Sequence, residues 1–167
     1  NRKRPGAVGL DINSRSQADV VHDLNSFPYP FSDSEFDEIY VDNVLEHLDN
    51  VIRVVEELHR LAKPGAFVKV IVPYFRARWA CIDPTHRHFF TVESFSYFDP
   101  QHPHCREYDY SLARFSIEKR VFNESLKNGL FKRIVIFVAN IRPETYERLL
   151  SHLYPLDDLT FYLRAIK

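Results

Sequence analysis

The stretch DEIYVDNVLEHLDNVIRVVEELHRLAKPGAFVKVIVPYF, residues 37–75, decides the fold. Its first residues, 37–42, are dominated by Ile, Tyr and Val, which favour β-strands. Residues 66–75 form a nearly uninterrupted apolar run, as in a strand that is covered on both faces. The segment between them has the periodicity of a helix. Strand, helix and strand in this order predict a parallel pair joined by a right-handed crossover.

The connecting helix carries its apolar side chains on one face, at positions 51, 54, 55, 58, 61 and 62. Asp49 or Asn50 can cap its start, because both side chains accept hydrogen bonds from free backbone N–H groups. Lys63 suits the last turn, and Pro64 with Gly65 predicts the end of the helix.

Segments on both sides extend this unit into an α/β fold. The expected elements are strands at 7–11, 18–22, 114–122, 131–139 and 159–167, a short helix at 92–98 and a helix at 142–154. The strands at 114–122 and 131–139 are expected to be antiparallel neighbours. We predict a single domain over residues 1–167, with a mostly parallel sheet, antiparallel C-terminal strands and an aromatic, histidine-rich insert at 76–113.

The composition is that of a globular protein, with 167 residues, 45% hydrophobic residues and a net charge of -1. Because the charge is nearly balanced, no overall field favours nucleic acid, and the basic residues Arg2, Lys3 and Arg4 are expected to be solvated. The sequence contains no apolar run of about 18 residues, the length that would predict a membrane span. With no visible signal peptide and only two cysteines, a reducing cytoplasmic location is the default expectation.

Acidic residues follow three of the predicted strands: Asp11, Asp23 and Asp42. Ligands of open α/β sheets bind beyond the carboxyl ends of the strands, so these carboxylates could face one ligand. The alternative is that Asp ends strands because it favours turns and helix caps. Three acids at one edge favour the ligand interpretation.

Three segments resemble the class I S-adenosylmethionine-dependent methyltransferases, which have a Rossmann-like fold: VGLDIN (8–13), HDLNSFPYPFSDSEFDEIYVDNVLEHLDN (22–50) and ELHRLAKPGAFVKVIVPYF (57–75). The resemblance covers residues 5–75, and the closing HLYPLDDLTFYLRAIK (152–167) is similar to the end of such a domain. It implies an enzyme that transfers a methyl group from S-adenosylmethionine to an acceptor.

The resemblance also implies how the cofactor's nucleoside is held. Asp11, with Ile12 beside it, would accept hydrogen bonds from the ribose hydroxyls, since a carboxylate can accept two bonds from a vicinal diol. Asp23 would face the adenine amino group, with the backbone of Leu24 beside the ring.

The loop after the strand at 37–42 would complete the site. By the same resemblance, Asn43 and Val44 would line the methionine part of the cofactor, and His47 would lie near the transferred methyl group. His86 is the first candidate for a base on the acceptor side and His47 the second, because histidine titrates near neutral pH. Each of these histidines could equally have a structural role.

The family's glycine-rich loop after the first strand has no counterpart in this sequence, which reads as an N-terminally truncated form of the fold. An empty central position in a sheet would orphan backbone groups at about 1–3 kcal/mol each. We therefore expect that residues before Asn1, or another chain, supply a strand and a glycine turn.

The insert concentrates histidines and cysteines, namely His86, His88, His102, His104, Cys81 and Cys105. Their spacing does not match the ligand spacings of common zinc sites, so we predict no metal there. The family resemblance implies that residues 83–98 cover the active site. Anchors for this lid would be Phe89, Phe90, Phe95 and Phe98.

The leading hypothesis is thus a methyltransferase that acts on a small-molecule acceptor, with no nucleic-acid or membrane partner and with a homodimer left open. The alternative is a non-catalytic methyltransferase-like protein that binds or assembles. A nicotinamide oxidoreductase is disfavoured, because the sequence contains no G-x-G-x-x-G motif.

Overall fold

The strands of this protein form two separate β-sheets. The structure, a computed structural model, describes residues 6–16, 18–123 and 129–167. The small sheet pairs β1 (Leu10–Asp11) with β2 (Val20–Val21) in parallel. The larger sheet has the order β3-β4-β6-β5, formed by β3 (Phe36–Asp42), β4 (Ala62–Pro73), β5 (Arg114–Phe122) and β6 (Asp158–Ile166). Strands β3 and β4 are parallel, whereas β6 runs antiparallel to both β4 and β5.

The helices of the described residues are α1 (Val51–Leu61), α2 (Arg78–Ile82), α3 (Pro103–Tyr108), α4 (Leu130–Ile141) and α5 (Pro143–Leu149). Two 3-10 turns, Leu45–His47 and Ser96–Phe98, complete the set. Among the residues that the structure describes, no helix is both long enough and apolar enough to cross a bilayer. The predicted mixed α/β class, with parallel strands and antiparallel C-terminal strands, is confirmed.

Helix α1 starts where the sequence predicts, because the side chain of Asn50 accepts a hydrogen bond from the backbone N–H of Arg53 at 3.1 Å. Its inward face is apolar and buried, at Val54, Val55, Leu58 and Leu61. The helix ends at Leu61, before the predicted stop at Pro64–Gly65. A residue that precedes proline is disfavoured in helical conformation, and Ala62 already pairs with β3 as the first residue of β4.

Strand β4 contributes the centre of the core through Val68, Val70 and Val72, which are all fully buried. Residues 67, 69 and 71 on its other face are only half-buried. The expectation that both faces of this strand are covered is therefore wrong for the described part of the chain. One face packs against the core in the alternating manner of a half-buried strand.

Residues 131–139, which we predicted to be a strand, lie in helix α4. The antiparallel neighbour of β5 is instead β6, which sits between β4 and β5. The apolar run at 131–139 fits either structure by pattern alone. The prediction paired this segment with β5, but β5 pairs with β6 instead.

The insert packs on the sheet through three of its four predicted phenylalanine anchors. Phe90, Phe95 and Phe98 are buried, whereas Phe89 is 57% exposed. The backbone N–H of Phe75, just beyond β4, donates to the carbonyl of Phe90 at 3.0 Å. The predicted helix at 92–98 is reduced to the 3-10 turn Ser96–Phe98.

The small sheet is joined to α1 by the segment that follows β2. The Asn25 side chain accepts a hydrogen bond from the backbone N–H of Asp49 at 2.8 Å, and the backbone N–H of Tyr29 donates to Glu57 at 2.9 Å. The Arg60 guanidinium adds bonds to the carbonyls of Tyr29 and Phe31 at 3.0 Å each. It also pairs with Glu57 at 2.8 Å.

We expect Arg60→Met to lower the free energy of unfolding by about 2 kcal/mol, because it removes several charge-assisted hydrogen bonds and leaves Glu57 half-buried without its partner. Lys63→Met is the matched control, since Lys63 pairs with Asp37 at an exposed site and surface pairs contribute about 0–1 kcal/mol. Urea unfolding of both variants tests this. Equal effects of the two substitutions would contradict the anchoring role of Arg60.

Candidate functional site

A cleft of about 670 Å³ opens at the carboxyl ends of β3 and β4. Its apolar wall comes from Pro73 and from helix α2 and the residues after it, namely Trp79, Ile82 and Pro84. Its polar groups are Asn43, Glu46, His47, Asp83, His86, Asp157 and Asp158. This is the edge of an α/β sheet where ligands bind.

The two cleft histidines come from distant parts of the sequence and are brought together by backbone hydrogen bonds. The carbonyl of Glu46 accepts the N–H of Arg87 at 2.7 Å, and the His88 ring contacts the carbonyl of Leu48 at 2.8 Å. These bonds hold residues 85–88 against the 3-10 turn Leu45–His47. The rings of His47 and His86 are consequently 4.7 Å apart between centroids.

Hydrogen bonding at Nδ1 determines which nitrogen of each imidazole carries the proton. The Nδ1 of His86 lies 3.1 Å from the carbonyl oxygen of Ala80, which can only accept, so Nδ1 carries the proton. The Nδ1 of His47 lies 2.9 Å from the Thr85 hydroxyl, and that hydroxyl donates to Asp83 at 2.6 Å. His47 is therefore also a donor at Nδ1, which leaves the Nε2 lone pair of each neutral ring available.

Glu46 is an unusual acid, because it is only 1% exposed to solvent. Neither of its carboxylate oxygens has a hydrogen-bond partner among the described residues. Burial raises the pKa of Glu46 to about 7 against the opposing effects of its own backbone and of His86, and the nearby acids Asp42 and Asp158 add to the rise. One ligand atom from each of Glu46, His47 and His86 lies within 4.8 Å of the other two. These three residues are thus the described group best placed to hold a metal ion.

The cleft is acidic, since four carboxyl groups and no lysine or arginine line it. Asp157 is compensated by an ion pair with Lys132 and by a hydrogen bond from Asn123 at 2.8 Å. Hydrogen bonds from Thr85 keep the pKa of Asp83 below its usual value. Such a field favours cationic ligands, including a sulfonium.

Asp158 differs from these acids, because burial, together with the neighbouring charges of Asp157 and Asp42, raises its pKa to about 6 against the opposing effect of Lys132. The folded state thus prefers the protonated acid. Stability from this preference is present below the unfolded pKa of about 3.8 and is lost as the pH rises toward 6.

We expect Asp158→Asn to be more stable than the wild type at pH 7.5, by about 1–2 kcal/mol after allowance for partial solvation, and equally stable at pH 3.5. Asp157→Asn serves as the control with the opposite sign, because it removes the partner of Lys132. Urea unfolding at both pH values measures the difference. A wild type that is the more stable protein at pH 7.5 would contradict the burial of Asp158.

The predicted cofactor acids lie at one edge of the small sheet. Asp11 ends β1, Asp23 follows β2 by two residues, and the strands are parallel and in register. Each carboxylate also caps a turn, because Asp11 accepts from the backbone N–H of Asn13 and Asp23 from that of Asn25, both at 2.9 Å. The turn-capping role is therefore real, and it leaves one carboxylate oxygen of each acid outside the turn.

Of the predicted site residues, the structure brings Asn43, His47 and His86 together in the cleft. Asp11, Ile12 and Asp23 are not among its lining residues, and Ile12 is 65% exposed. Two further predicted residues, Leu24 and Val44, pack against the core instead.

Sequence reasoning assigned no role in the site to the other residues that line the cleft, among them Glu46, Asp158 and Trp79. Glu46 stood in the segment that decides the fold, and its signal was an acid between Leu45 and His47 in the turn after β3. Asp158 reaches the cleft because β6 runs antiparallel to β4 and starts opposite Pro73, which requires the sheet order. Trp79 belongs to the short helix α2, which no pattern predicted.

Comparison with known proteins places this geometry in a wider setting. Residues 7–70 match the family model described as a methyltransferase domain. Among curated proteins, none matches the chain significantly by sequence.

Solved structures share the fold at low sequence identity. A SAM-dependent methyltransferase from Archaeoglobus fulgidus is 20% identical, with a TM-score of 0.54 over 94% of this chain and 75% of its own. A second from Mesorhizobium loti is 16% identical, with a TM-score of 0.54 over 94% of this chain and 79% of its own. The cyclase SpnF is also 16% identical, with a TM-score of 0.50 over 87% of this chain and 54% of its own.

Proposed function

We propose that this chain is a class I S-adenosylmethionine-dependent methyltransferase and that it methylates a small-molecule acceptor bound in the cleft. The match to a methyltransferase domain over residues 7–70 and the fold support this proposal. The family's cofactor is S-adenosylmethionine. One observation carries the proposal: two adjacent imidazoles, His47 and His86, line the cleft at the carboxyl ends of β3 and β4, and each ring is hydrogen-bonded through Nδ1.

The cofactor would lie across the two sheets. Asp11 and Ile12 would hold its ribose and Asp23 with Leu24 its adenine, because these residues follow adjacent parallel strands. Asn43 and Val44, after β3, would line the methionine part. The acidic cleft would then face the sulfonium, where a positive charge is favoured.

The acceptor would occupy the cleft against Trp79 and Ile82. Methyl transfer needs a nucleophile in line with the sulfonium, and the cofactor supplies the intrinsic reactivity. An acceptor that attacks through a hydroxyl must lose a proton, and His86 or His47 is placed to take it through Nε2. Positioning alone suffices for an acceptor that is already a good nucleophile.

The proposal is tested by incubating the full-length protein with methyl-labelled S-adenosylmethionine and the low-molecular-weight fraction of a cell extract. We expect transfer of label to a small molecule. Labelling of protein or nucleic acid, with none in the small-molecule fraction, would contradict a small acceptor.

The histidines provide a sharper test once the labelled acceptor is in hand. We expect His86→Ala or His47→Ala to lower kcat by about 100-fold for a hydroxyl acceptor, which is the lower range for a general base, with little change in the cofactor's Kd. The exposed His152 provides the control His152→Ala. Unchanged kcat in both cleft variants would exclude a proton-accepting role.

The second candidate is a non-catalytic relative that uses the same fold to bind or assemble. A fold hosts more than one function, so the fold alone does not establish methyl transfer. Cofactor binding without label transfer to any acceptor would favour this candidate. Self-association as a homodimer, measured by analytical ultracentrifugation, would indicate assembly.

A further inference from the structure

We propose that Glu46, His47 and His86 bind a divalent transition-metal ion at the base of the cleft, and that zinc is the ion their chemistry fits best. Their ligand atoms lie within 4.8 Å of one another. In a tetrahedral zinc site, ligands about 2.0–2.2 Å from the ion are roughly 3.3 Å apart. Closing the group around an ion therefore needs side-chain shifts of about one ångström.

The Glu46 carboxylate is the strongest indication of a cation site. It is buried at 1% exposure, and both of its oxygens lack a hydrogen-bond partner within the described ranges. A buried carboxylate is costly unless it is paired, hydrogen-bonded or bound to a metal. The described part of the chain forms no ion pair to Glu46, so a cation from solution would satisfy it.

The two histidines already have the orientation of metal ligands. Metal-binding imidazoles donate their second ring N–H to a carbonyl or carboxylate, which fixes the tautomer. His86 donates to the carbonyl of Ala80 at 3.1 Å. His47 donates to the Thr85 hydroxyl, which in turn donates to the Asp83 carboxylate. Both Nε2 lone pairs are consequently free to bind an ion. An imidazole that binds an ion through Nε2 cannot also take a proton there, so metal binding and proton acceptance are alternative roles of these two rings.

The donor set selects the kind of ion. Two imidazole nitrogens and one carboxylate suit zinc and its neighbours in the first transition row, whereas magnesium and calcium prefer all-oxygen sites. Three protein ligands leave a fourth position open toward the cleft, as in catalytic zinc sites. The carboxylates of Asp83 and Asp158 line the same cleft and would attract a divalent cation.

The proposed site draws only one residue from the histidine-rich insert. Of the insert's histidines only His86 takes part. Its partners come from the turn after β3, about forty residues earlier in the chain. The backbone bond from Arg87 to the carbonyl of Glu46 brings the two segments together. No sequence spacing could reveal this pairing.

The test is calorimetric titration of Zn²⁺ alone into the metal-free, full-length protein, without cofactor or acceptor. All proteins carry Cys81→Ser, because Cys81 is an exposed free thiol that could bind zinc. We expect one ion per chain with a micromolar or tighter Kd. Co²⁺ should give the visible absorption bands of a four- or five-coordinate nitrogen and oxygen site.

Substitutions in the group separate this site from adventitious binding. His47→Ala, His86→Ala and Glu46→Gln should each weaken zinc binding by about 100-fold, and Thr85→Val by about 10-fold through the orientation of His47. His152→Gln, at an exposed histidine, should leave the Kd unchanged. Zinc binding that survives all three ligand substitutions, or a wild type that binds no ion, would overturn the proposal.

Glu46→Gln also controls for folding. It is isosteric and removes a buried, ionisable carboxyl group without a hydrogen-bond partner, so the metal-free variant should have the same Tm as the wild type or a higher one. Loss of zinc binding with a retained Tm therefore reports a lost ligand, whereas a lower Tm in the metal-free variant would count against an unpartnered Glu46. Because cofactor and acceptor are absent, failure of the zinc titration would leave the methyl-transfer proposal intact.

Discussion

Asp11→Asn is expected to weaken binding of S-adenosylhomocysteine, the demethylated cofactor, by about 50-fold. A hydrogen bond to a charged group contributes about 1.5–3 kcal/mol, and about 1.4 kcal/mol corresponds to a tenfold change in Kd. The carboxylate of Asp11 would accept two such bonds from the ribose diol, whereas an amide offers one acceptor and one mismatched donor. Calorimetric titration measures the change.

The substitution leaves the local turn in place, because an amide oxygen can still accept the backbone N–H of Asn13. Asp99→Asn is the matched control, since Asp99 accepts the N–H of Gln101 in the same type of turn at 2.9 Å, away from β1. We expect it to bind S-adenosylhomocysteine as the wild type does. An equal loss in both variants would mean that Asp11 acts on stability only.

Phe95→Ala is expected to lower the free energy of unfolding by about 3–5 kcal/mol, the usual cost of removing a buried aromatic ring. Phe95 is 2% exposed, and its ring centroid lies 4.6 Å from that of Phe161, on β6. It thereby fixes the insert to the sheet that carries the cleft. Urea unfolding followed by far-ultraviolet circular dichroism measures the loss.

Phe89→Ala is the matched control from the same segment. Phe89 is 57% exposed, and surface substitutions change stability by only about 0.5 kcal/mol in either direction. The sequence alone does not distinguish these two phenylalanines. If Phe89→Ala were as destabilising as Phe95→Ala, the packing of the insert described above would be wrong.

The fold was predictable wherever a local rule and the final packing agree. The capping of α1 by Asn50 and the strand at 37–42 follow from side-chain chemistry and periodicity, and the structure has both. Residues 131–139 show the limit of this reasoning. Their apolar run fits a strand or a helix, and the choice depends on β6 occupying the place beside β5, which is a tertiary fact.

The site was predictable only in part, because its chemistry is assembled from segments that are distant in sequence. Asn43 and His47 follow a strand, and their roles were predicted from the family resemblance. The burial of Glu46 and the backbone hydrogen bond from Arg87 to Glu46 depend on packing, which sequence spacing does not reveal. Asp158 enters the cleft through the antiparallel order of the sheet, so its raised pKa could not be anticipated either.

Calorimetric titration of S-adenosylhomocysteine into the full-length wild-type protein tests the cofactor assignment most directly. We predict one binding site per chain with a Kd on the order of micromolar, which corresponds to a binding free energy of about −8 kcal/mol. The same ligand should raise the Tm, since it binds only the folded state. No heat of binding and no rise in Tm at about millimolar ligand, roughly a thousand times that Kd, would contradict a methyltransferase function.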